Sequence, residues 1–221
     1  LVKHNGPVFD VSKYEKILGK NFFKNKINFK KKPSLEAQIS SISDDIAYNS
    51  HDLEDGLKAN LFDINDLEEI PVLSEIIKKN KKKLNKHNKE LFLRQIIRDI
   101  INEMVKDIII NTKKNISNER IKKISDVYKS SIPLVVFSEK MNSFDLSIKD
   151  FLKEKMYYSS GVLKNTNKGK KIIKSLFINI NRKPSRYLND YNKKNKVRSI
   201  CDFIAGMTDR FAIDLYNSIK W

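Results

Sequence analysis

Hydrophobic residues recur at spacings of three and four along most of the chain, which is the period of an amphipathic helix. Residues 95–110, QIIRDIINEMVKDIII, keep this period, although isoleucine otherwise favours strands. The strict alternation that marks a half-buried strand is almost absent. Only 6 Gly and 5 Pro among 221 residues leave few positions for turns. The pattern therefore predicts an all-α protein.

Two long helices dominate this prediction, one over residues 34–62 and one from Glu90 to residue 111. Shorter helical elements are predicted at 64–70, 72–80, 117–130, 146–158, 168–180 and 197–219. The apolar segment 134–141, LVVFSEKM, is expected to be buried. No internal repeat or clear domain boundary is visible, and the lysine-rich segment 80–88 is the one candidate hinge. Residues 1–221 are therefore predicted to belong to a single domain.

The first long helix carries acids and a tyrosine at helical spacing. Asp44, Tyr48, Asp52 and Asp55 follow one another at spacings of four, four and three. Each step of four advances about 40° around a helix, so these residues share one face. The apolar stripe on another side comprises Leu35, Ile39, Ile42 and Ile46. Carboxylates stacked around a phenol are costly to bury without a positive partner, such as a divalent metal or a polar substrate. The face is therefore either a binding site or a solvated stripe.

The charge balance of the chain favours a polyanion as its binding partner. The chain has 44 Lys and Arg against 27 Asp and Glu, a net charge of +17. Nucleic acid, nucleotides or an acidic surface would match this excess. A genome rich in A and T offers another explanation, since it raises Lys, Asn and Ile together at tolerant surface positions. The sequence leaves both explanations open.

Cys201 is the only cysteine, so no internal disulfide can form and a reducing, cytoplasmic location is expected. Its neighbours Ile200, Phe203 and Ile204 predict an inert core position. No signal peptide and no apolar run of transmembrane length is visible, so no membrane partner is expected. The chain begins at Leu1 rather than Met, which suggests a start partway into a longer protein.

Three sequence blocks carry a family resemblance: KHNGP at 3–7, SLEAQISSISDDIAYNSHDLEDGL at 34–57 and CDFIAGMTDRFAIDLY at 201–216. In this order they resemble the bacterial deoxyguanosinetriphosphate triphosphohydrolase-like proteins, which are metal-dependent dNTP hydrolases of the HD superfamily. The resemblance implies a multi-helix HD-type phosphohydrolase fold. It also implies hydrolysis of a dNTP, dGTP above all, to a deoxynucleoside and inorganic triphosphate with Mg²⁺ or Mn²⁺. Relatives are commonly multimeric, so the full-length protein is expected to form a homo-oligomer.

The resemblance also assigns roles to residues of the first long helix. In the family, one metal-binding Asp lies far along the sequence from the other metal ligands. By resemblance this Asp corresponds to Asp44. Asp45 is the neighbouring candidate, but the family's Tyr at plus four matches Tyr48 only when counted from Asp44. Tyr48 and Asp52 then match positions that contact the deoxyribose, notably its 3′-hydroxyl.

The chain departs from the family pattern at the remaining metal ligands. The first His and the His-Asp dyad are absent, and the pair His51-Asp52 follows the metal Asp in the family and is not that dyad. The resemblance places the dyad and the catalytic His upstream of Leu1. The chain is therefore expected to be the C-terminal part of the enzyme, supplying part of its active site and inactive alone.

Four further residues are candidates for substrate contacts. Lys3 and His4 would reach the triphosphate as mobile charges, or simply be solvated in a loop. Lys153 and Tyr157 lie where related enzymes place a phosphate contact. A different class of function stays open, namely a non-catalytic basic all-α module that binds nucleic acid, or a pseudoenzyme fragment.

Overall fold

Helices are the only regular elements in the part of the chain that the computed structural model describes, which comprises residues 7–10, 12, 14, 15, 19, 29–83, 89–188 and 195–219. This confirms the predicted all-α class. Contacts within the chain divide it into two compact units, Leu1–Met156 and Tyr157–Trp221. The sequence pattern did not single out this boundary, and residues 84–88 of the candidate hinge lie outside the described residues. The single-domain organisation stays a prediction.

Within residues 29–83 and 89–156 the first unit contains six α-helices: α1 (Leu35–Lys58), α2 (Ile64–Leu67), α3 (Pro71–Lys83), α4 (Lys89–Asn118), α5 (Ile124–Lys129) and α6 (Glu139–Leu152). A π-helical turn, Lys153–Tyr157, follows α6. The described part of the second unit contains α7 (Ser160–Arg182), a 3₁₀ turn (Pro184–Arg186), α8 (Lys196–Ala205) and α9 (Asp209–Ser218).

Several predicted boundaries are wrong, and the last helix shows why. The segment 197–219 forms two helices rather than one, because α8 ends at a C-cap, Gly206, and a new N-cap follows two residues later. The Thr208 hydroxyl accepts a hydrogen bond from the Phe211 N–H at 3.3 Å and so begins α9. Other helices extend beyond the prediction, since α4 has 30 residues and α7 begins at Ser160 rather than 168.

Helix α1 begins and ends at local signals. The Ser34 hydroxyl accepts a hydrogen bond from the Ala37 N–H, as an N-cap does. At the other end Asn60 adopts a left-handed φ of 54°. The N–H of Asn60 bonds the Leu57 carbonyl and the N–H of Leu61 bonds the Gly56 carbonyl, the arrangement of a Schellman C-cap. The helix therefore stops at Lys58, short of the predicted residue 62.

The core of the first unit is built by facing stripes of α1, α3, α4 and α6. Its fully buried side chains are Leu53, Leu67, Leu73, Ile77, Ile96, Ile100, Met104, Ile148 and Leu152. In the predicted apolar stripe of α1, Ile46 is buried and Leu35 and Ile42 pack against the core. Ile39 is 47% exposed, so its place in that stripe was predicted wrongly.

A buried polar side chain of α1 and two half-buried ones of α4 hold the segment 134–138 in place. The Gln38 side-chain oxygen accepts hydrogen bonds from the backbone N–H groups of Leu134 and Val135. Asn111 and Asn115 of α4 donate to backbone carbonyls of the same segment. Leu134 and Val135 are buried, as predicted for this apolar segment.

The second unit has its own core. Its buried apolar residues are Ile172, Leu176, Ile180, Leu188, Ile200 and Ala212. Cys201 is exposed, which contradicts the predicted core position. Ile200 takes the buried position, and the next residue lies about 100° further around the helix. Among the described residues, no helix combines the length and apolar character needed to cross a bilayer.

Candidate active-site face of the first long helix

Asp44, Tyr48 and Asp52 lie along one face of α1, opposite its core residues. Ile46 and Leu53 are buried, and on a 3.6-residue helix they fall about 160–180° around the axis from Asp44. Asp44 is exposed and Asp52 is half-buried. Tyr48 is 64% exposed. We call Asp44, Tyr48, Asp52 and Asp55 the acidic face of α1.

The acidic face does not form a metal site by itself. Among the described residues, no group of three or more His, Cys, Asp or Glu side chains is placed to hold a metal ion. His51 is exposed beside this face, and Asp44 would contribute a single carboxylate. A divalent ion usually requires several such ligands. The donor set of the described residues therefore does not fit a complete metal centre.

A polar network joins α1 to α6 immediately beside the acidic face. The Asn49 side-chain amide donates to Asp145 Oδ1 at 2.6 Å, and Lys149 Nζ lies 2.8 Å from Asp145 Oδ2. Lys149 Nζ also lies 3.5 Å from Asp45 Oδ2. Asn49 and Asp145 are only 5% exposed. The network contacts α1 through Asp45 and Asn49, the residues that directly follow Asp44 and Tyr48. It therefore fixes the orientation of the acidic face relative to α6.

The charge of Lys149 is stabilised by this network. Partial burial works to lower the pKa of Lys149, but the hydrogen bond and charge of Asp145, together with Asp45, outweigh it. The pKa of Lys149 is therefore raised above its ordinary value. Sequence reasoning missed the network. The spacing of four between Asp145 and Lys149 was visible, but their partners on α1 lie about a hundred residues earlier in the chain.

Two of the remaining candidate residues belong to a different segment from the acidic face. Lys153 is exposed and Tyr157 is 44% exposed, both in the π-helical turn after α6. Lys3 and His4 lie outside the described residues. The structure thus brings together Asp44, Tyr48 and Asp52 and places Lys153 and Tyr157 on another segment.

A cleft of about 440 Å³ lies elsewhere in the first unit, between α3, α4 and α6. Its lining includes three lysines and four acids, Lys79, Lys106, Lys140, Glu75, Asp99, Glu103 and Asp107. Asp99 accepts from Asn80 and Gln95, and Asp107 accepts from Ser138, so two of the acids support the fold. None of the candidate site residues lines this cleft.

Comparison with known proteins agrees with the sequence blocks. Residues 135–218 match the model of the phosphohydrolase-associated domain. The deoxyguanosinetriphosphate triphosphohydrolase-like protein of Pelagibacter ubique is 49% identical over 99% of this chain and 59% of its own length. Proteins of the same name from Rickettsia prowazekii and Rickettsia typhi are 35% and 36% identical over 99% of this chain and 58% of their length.

The chain thus spans about three fifths of the length of the curated relatives it matches. The match runs along nearly the whole chain and includes both compact units. The family resemblance indicated by the three sequence blocks is therefore confirmed. The chain is a homologue of the deoxyguanosinetriphosphate triphosphohydrolase-like proteins, and its residues 135–218 match the phosphohydrolase-associated domain.

Proposed function

We propose that the chain supplies part of the active site of a metal-dependent hydrolase that converts a dNTP, dGTP above all, to a deoxynucleoside and inorganic triphosphate. The observation that carries this proposal is the acidic face of α1. On this face Asp44, Tyr48 and Asp52 follow one another at intervals of about one helical turn. The names of the relatives support the substrate class.

In this proposal three residues of the acidic face have separate tasks. Asp44 is a ligand of Mg²⁺ or Mn²⁺, both of which prefer carboxylate oxygen. Tyr48 contacts the deoxyribose through its ring or its hydroxyl. Asp52 accepts a hydrogen bond from the 3′-hydroxyl and so selects the sugar and fixes its position. The triphosphate would be contacted by Lys3, His4, Lys153 and Tyr157.

The described residues do not complete a metal centre by themselves, and Asp44 would supply one of its ligands. The overall change is attack of water on the α-phosphorus, cleavage of its bond to the 5′-oxygen and transfer of a proton to that oxygen. Negative charge is spread over the phosphate oxygens in such a reaction, so nearby cations lower the barrier. The residues of this chain bind and orient the substrate, and the catalytic His is proposed to lie upstream of Leu1.

The test measures inorganic triphosphate released from dGTP in the presence of Mn²⁺. Residues 1–221 alone are expected to release none, whereas the chain extended by its upstream region releases it. In the extended protein, Asp44→Ala should lower turnover about 100-fold or more, because changes even in the second shell of a metal site cost 10–100-fold. It should also lower the bound metal.

Asp55→Ala is the matched control. Asp55 lies on the same helix face and is exposed, so its loss should leave turnover unchanged. Full activity of Asp44→Ala would exclude its role as a ligand. Absence of triphosphate release from every dNTP by the extended protein, with or without an added activating nucleotide, would overturn the proposal in favour of a binding module or pseudoenzyme.

A homo-oligomer is also proposed. Three apolar side chains of α4, Val105, Ile109 and Ile110, are between 40% and 69% exposed in the single chain. Burial of such side chains against a second copy would be favourable. Sedimentation of the extended protein tests this, and a monomer at micromolar concentration would exclude it.

A further inference from the structure

The positive charge of the chain is concentrated in its second unit. Residues 157–221 contain 14 Lys and Arg against 4 Asp and no Glu, a net charge of +10 in 65 residues. Residues 1–156 contain 30 Lys and Arg against 23 Asp and Glu, a net charge of +7. A compositional bias of the genome would act on both units alike. The depletion of acids in one unit therefore needs a different explanation.

Helix α7 holds much of this charge on its surface. Its 23 residues contain six cationic side chains and no acid. All six are exposed: Lys164, Lys168, Lys170, Lys171, Lys174 and Arg182. On a helix, Lys164, Lys168, Lys171 and Arg182 fall within about 60° of one another. We call these four residues the basic face of α7.

The basic face lies away from the core of the second unit. Ile172, Leu176 and Ile180 of α7 are buried and lie about 80–160° around the helix from Lys164. The acids of the unit within the described residues lie on other helices, and Asp202 is already bound by Arg198 at 2.7 Å. The charges of the basic face are therefore not neutralised within their own helix.

We infer that the basic face of α7 binds the phosphate backbone of a nucleic-acid strand. Lys164 to Arg182 spans about 27 Å along the helix axis, long enough to meet several successive phosphates. Contacts of lysine and arginine with phosphate position a strand without reading its sequence. This inference goes beyond the proposed hydrolase, because it concerns a surface on which none of the residues assigned to dNTP binding lies.

The composition of the face favours nucleic acid over an anionic membrane. Between the basic residues the same side of α7 carries Ser160, Asn167 and Ser175. The exposed large apolar residues of the helix are Leu163, Ile173 and Ile178, which are 36%, 46% and 39% exposed, and neighbouring ones lie about 60–80° apart around the axis. A helix that lies in a bilayer interface buries a broad face of large apolar side chains beside its basic ones. The buried apolar stripe of α7, formed by Ile172, Leu176 and Ile180, is instead packed in the core of its own unit.

Binding is measured by fluorescence anisotropy of the whole chain with a labelled single strand of about 30 nucleotides and with its duplex, in salt from about 0.05 to 0.2 M. The variant Lys164→Gln/Lys168→Gln/Lys171→Gln removes three phosphate contacts. We expect a roughly 10- to 100-fold loss of affinity at about 0.1 M salt and a salt slope shallower by about 2 for the single strand.

The matched control is Lys78→Gln/Lys79→Gln/Lys82→Gln, which removes the same charge from exposed positions of α3. It should retain nearly the full affinity and salt slope, as should Lys164→Arg/Lys168→Arg/Lys171→Arg, which keeps the charges of α7. Circular dichroism of each variant checks that the helices persist.

Three results would overturn the inference. The first is the absence of binding to either nucleic acid at the lowest salt. The second is an equal loss of affinity in the α3 control, which would mean that only net charge matters. The third is binding that depends on α7 with vesicles of phosphatidylserine and phosphatidylcholine but not with nucleic acid. None of these results bears on triphosphate release, so the two proposals fail separately.

Discussion

Lys149 lies where α6 meets α1, and its ammonium group is held by two carboxylates, Asp145 at 2.8 Å and Asp45 at 3.5 Å. The Asp145 side chain is 7% exposed, whereas Lys149 is 40% exposed. The lysine therefore supplies the positive partner that a nearly buried carboxylate requires. It also connects both helices at the level of Asp44 and Tyr48.

The raised pKa of Lys149 predicts a loss of stability in alkali. The folded protein holds the proton more tightly than the unfolded chain, so the pair stabilises the fold below the ordinary lysine pKa of about 10.4. This contribution disappears as the pH rises through the raised pKa. We expect the urea midpoint of the wild type to fall as the pH rises above about 10.4.

Two substitutions at the same position separate this effect from general alkaline unfolding. Lys149→Met should be less stable at neutral pH and show a flatter alkaline decline. Lys149→Arg keeps its charge at every accessible pH, so it should hold the midpoint further into alkali. Identical alkaline profiles for wild type and Lys149→Met would contradict the assignment.

At the scale of elements, the end of α1 depends on a close contact with a glycine. The Phe62 ring packs over Gly56, and a Cβ at Gly56 would lie 2.3 Å from ring atoms. Phe62 is 7% exposed and meets Phe151 edge to face at 4.8 Å between ring centroids. The ring therefore cannot move aside without disturbing the packing of α1 against α6.

We predict that Gly56→Ala lowers the free energy of unfolding by about 1–3 kcal/mol, because overpacking outweighs the better helix propensity of alanine. Urea denaturation followed by circular dichroism measures the loss. Gly169→Ala in α7 is the control, since nothing lies within 4 Å of its added Cβ. It should be neutral or stabilising by up to about 1 kcal/mol, and equal effects at both glycines would refute the steric explanation.

The features that were predicted correctly from the sequence are those determined by residues close together in the chain. The start of α1 at Ser34 and the shared face of Asp44, Tyr48 and Asp52 follow from a cap and from helical spacing. The contact of Asn49 with Asp145 depends on how distant segments pack, and no periodicity encodes it. Cys201 was misplaced for a similar reason, since apolar neighbours in sequence do not fix which side of α8 meets the core.

At the scale of the whole molecule, the acidic face of α1 and the basic face of α7 lie in different units. The acidic face and its supporting network belong to the first unit, and the basic face of α7 belongs to the second. The hydrophobic cores are divided in the same way. One cluster runs from Ile46 to Leu152 and the other from Ile172 to Ala212, with no buried residue in common.

Separate cores predict that the units lose their structure separately. Leu176 and Ile100 are both fully buried, one in each cluster. Truncation of a buried Leu or Ile to Ala removes about 2–5 kcal/mol. Leu176→Ala should therefore accelerate amide hydrogen exchange in residues 160–188 and 195–218 and leave residues 35–83 and 89–152 nearly unchanged.

Ile100→Ala is the reciprocal variant and should accelerate exchange only in the first unit. Mass spectrometry of peptides from each unit gives both readings in one experiment. The larger first cluster, with twenty buried apolar residues against six among the described residues, should give the slower-exchanging amides in the wild type. Equal acceleration through both units by either variant would mean that the chain unfolds as one cooperative body, and that the two cores stabilise each other.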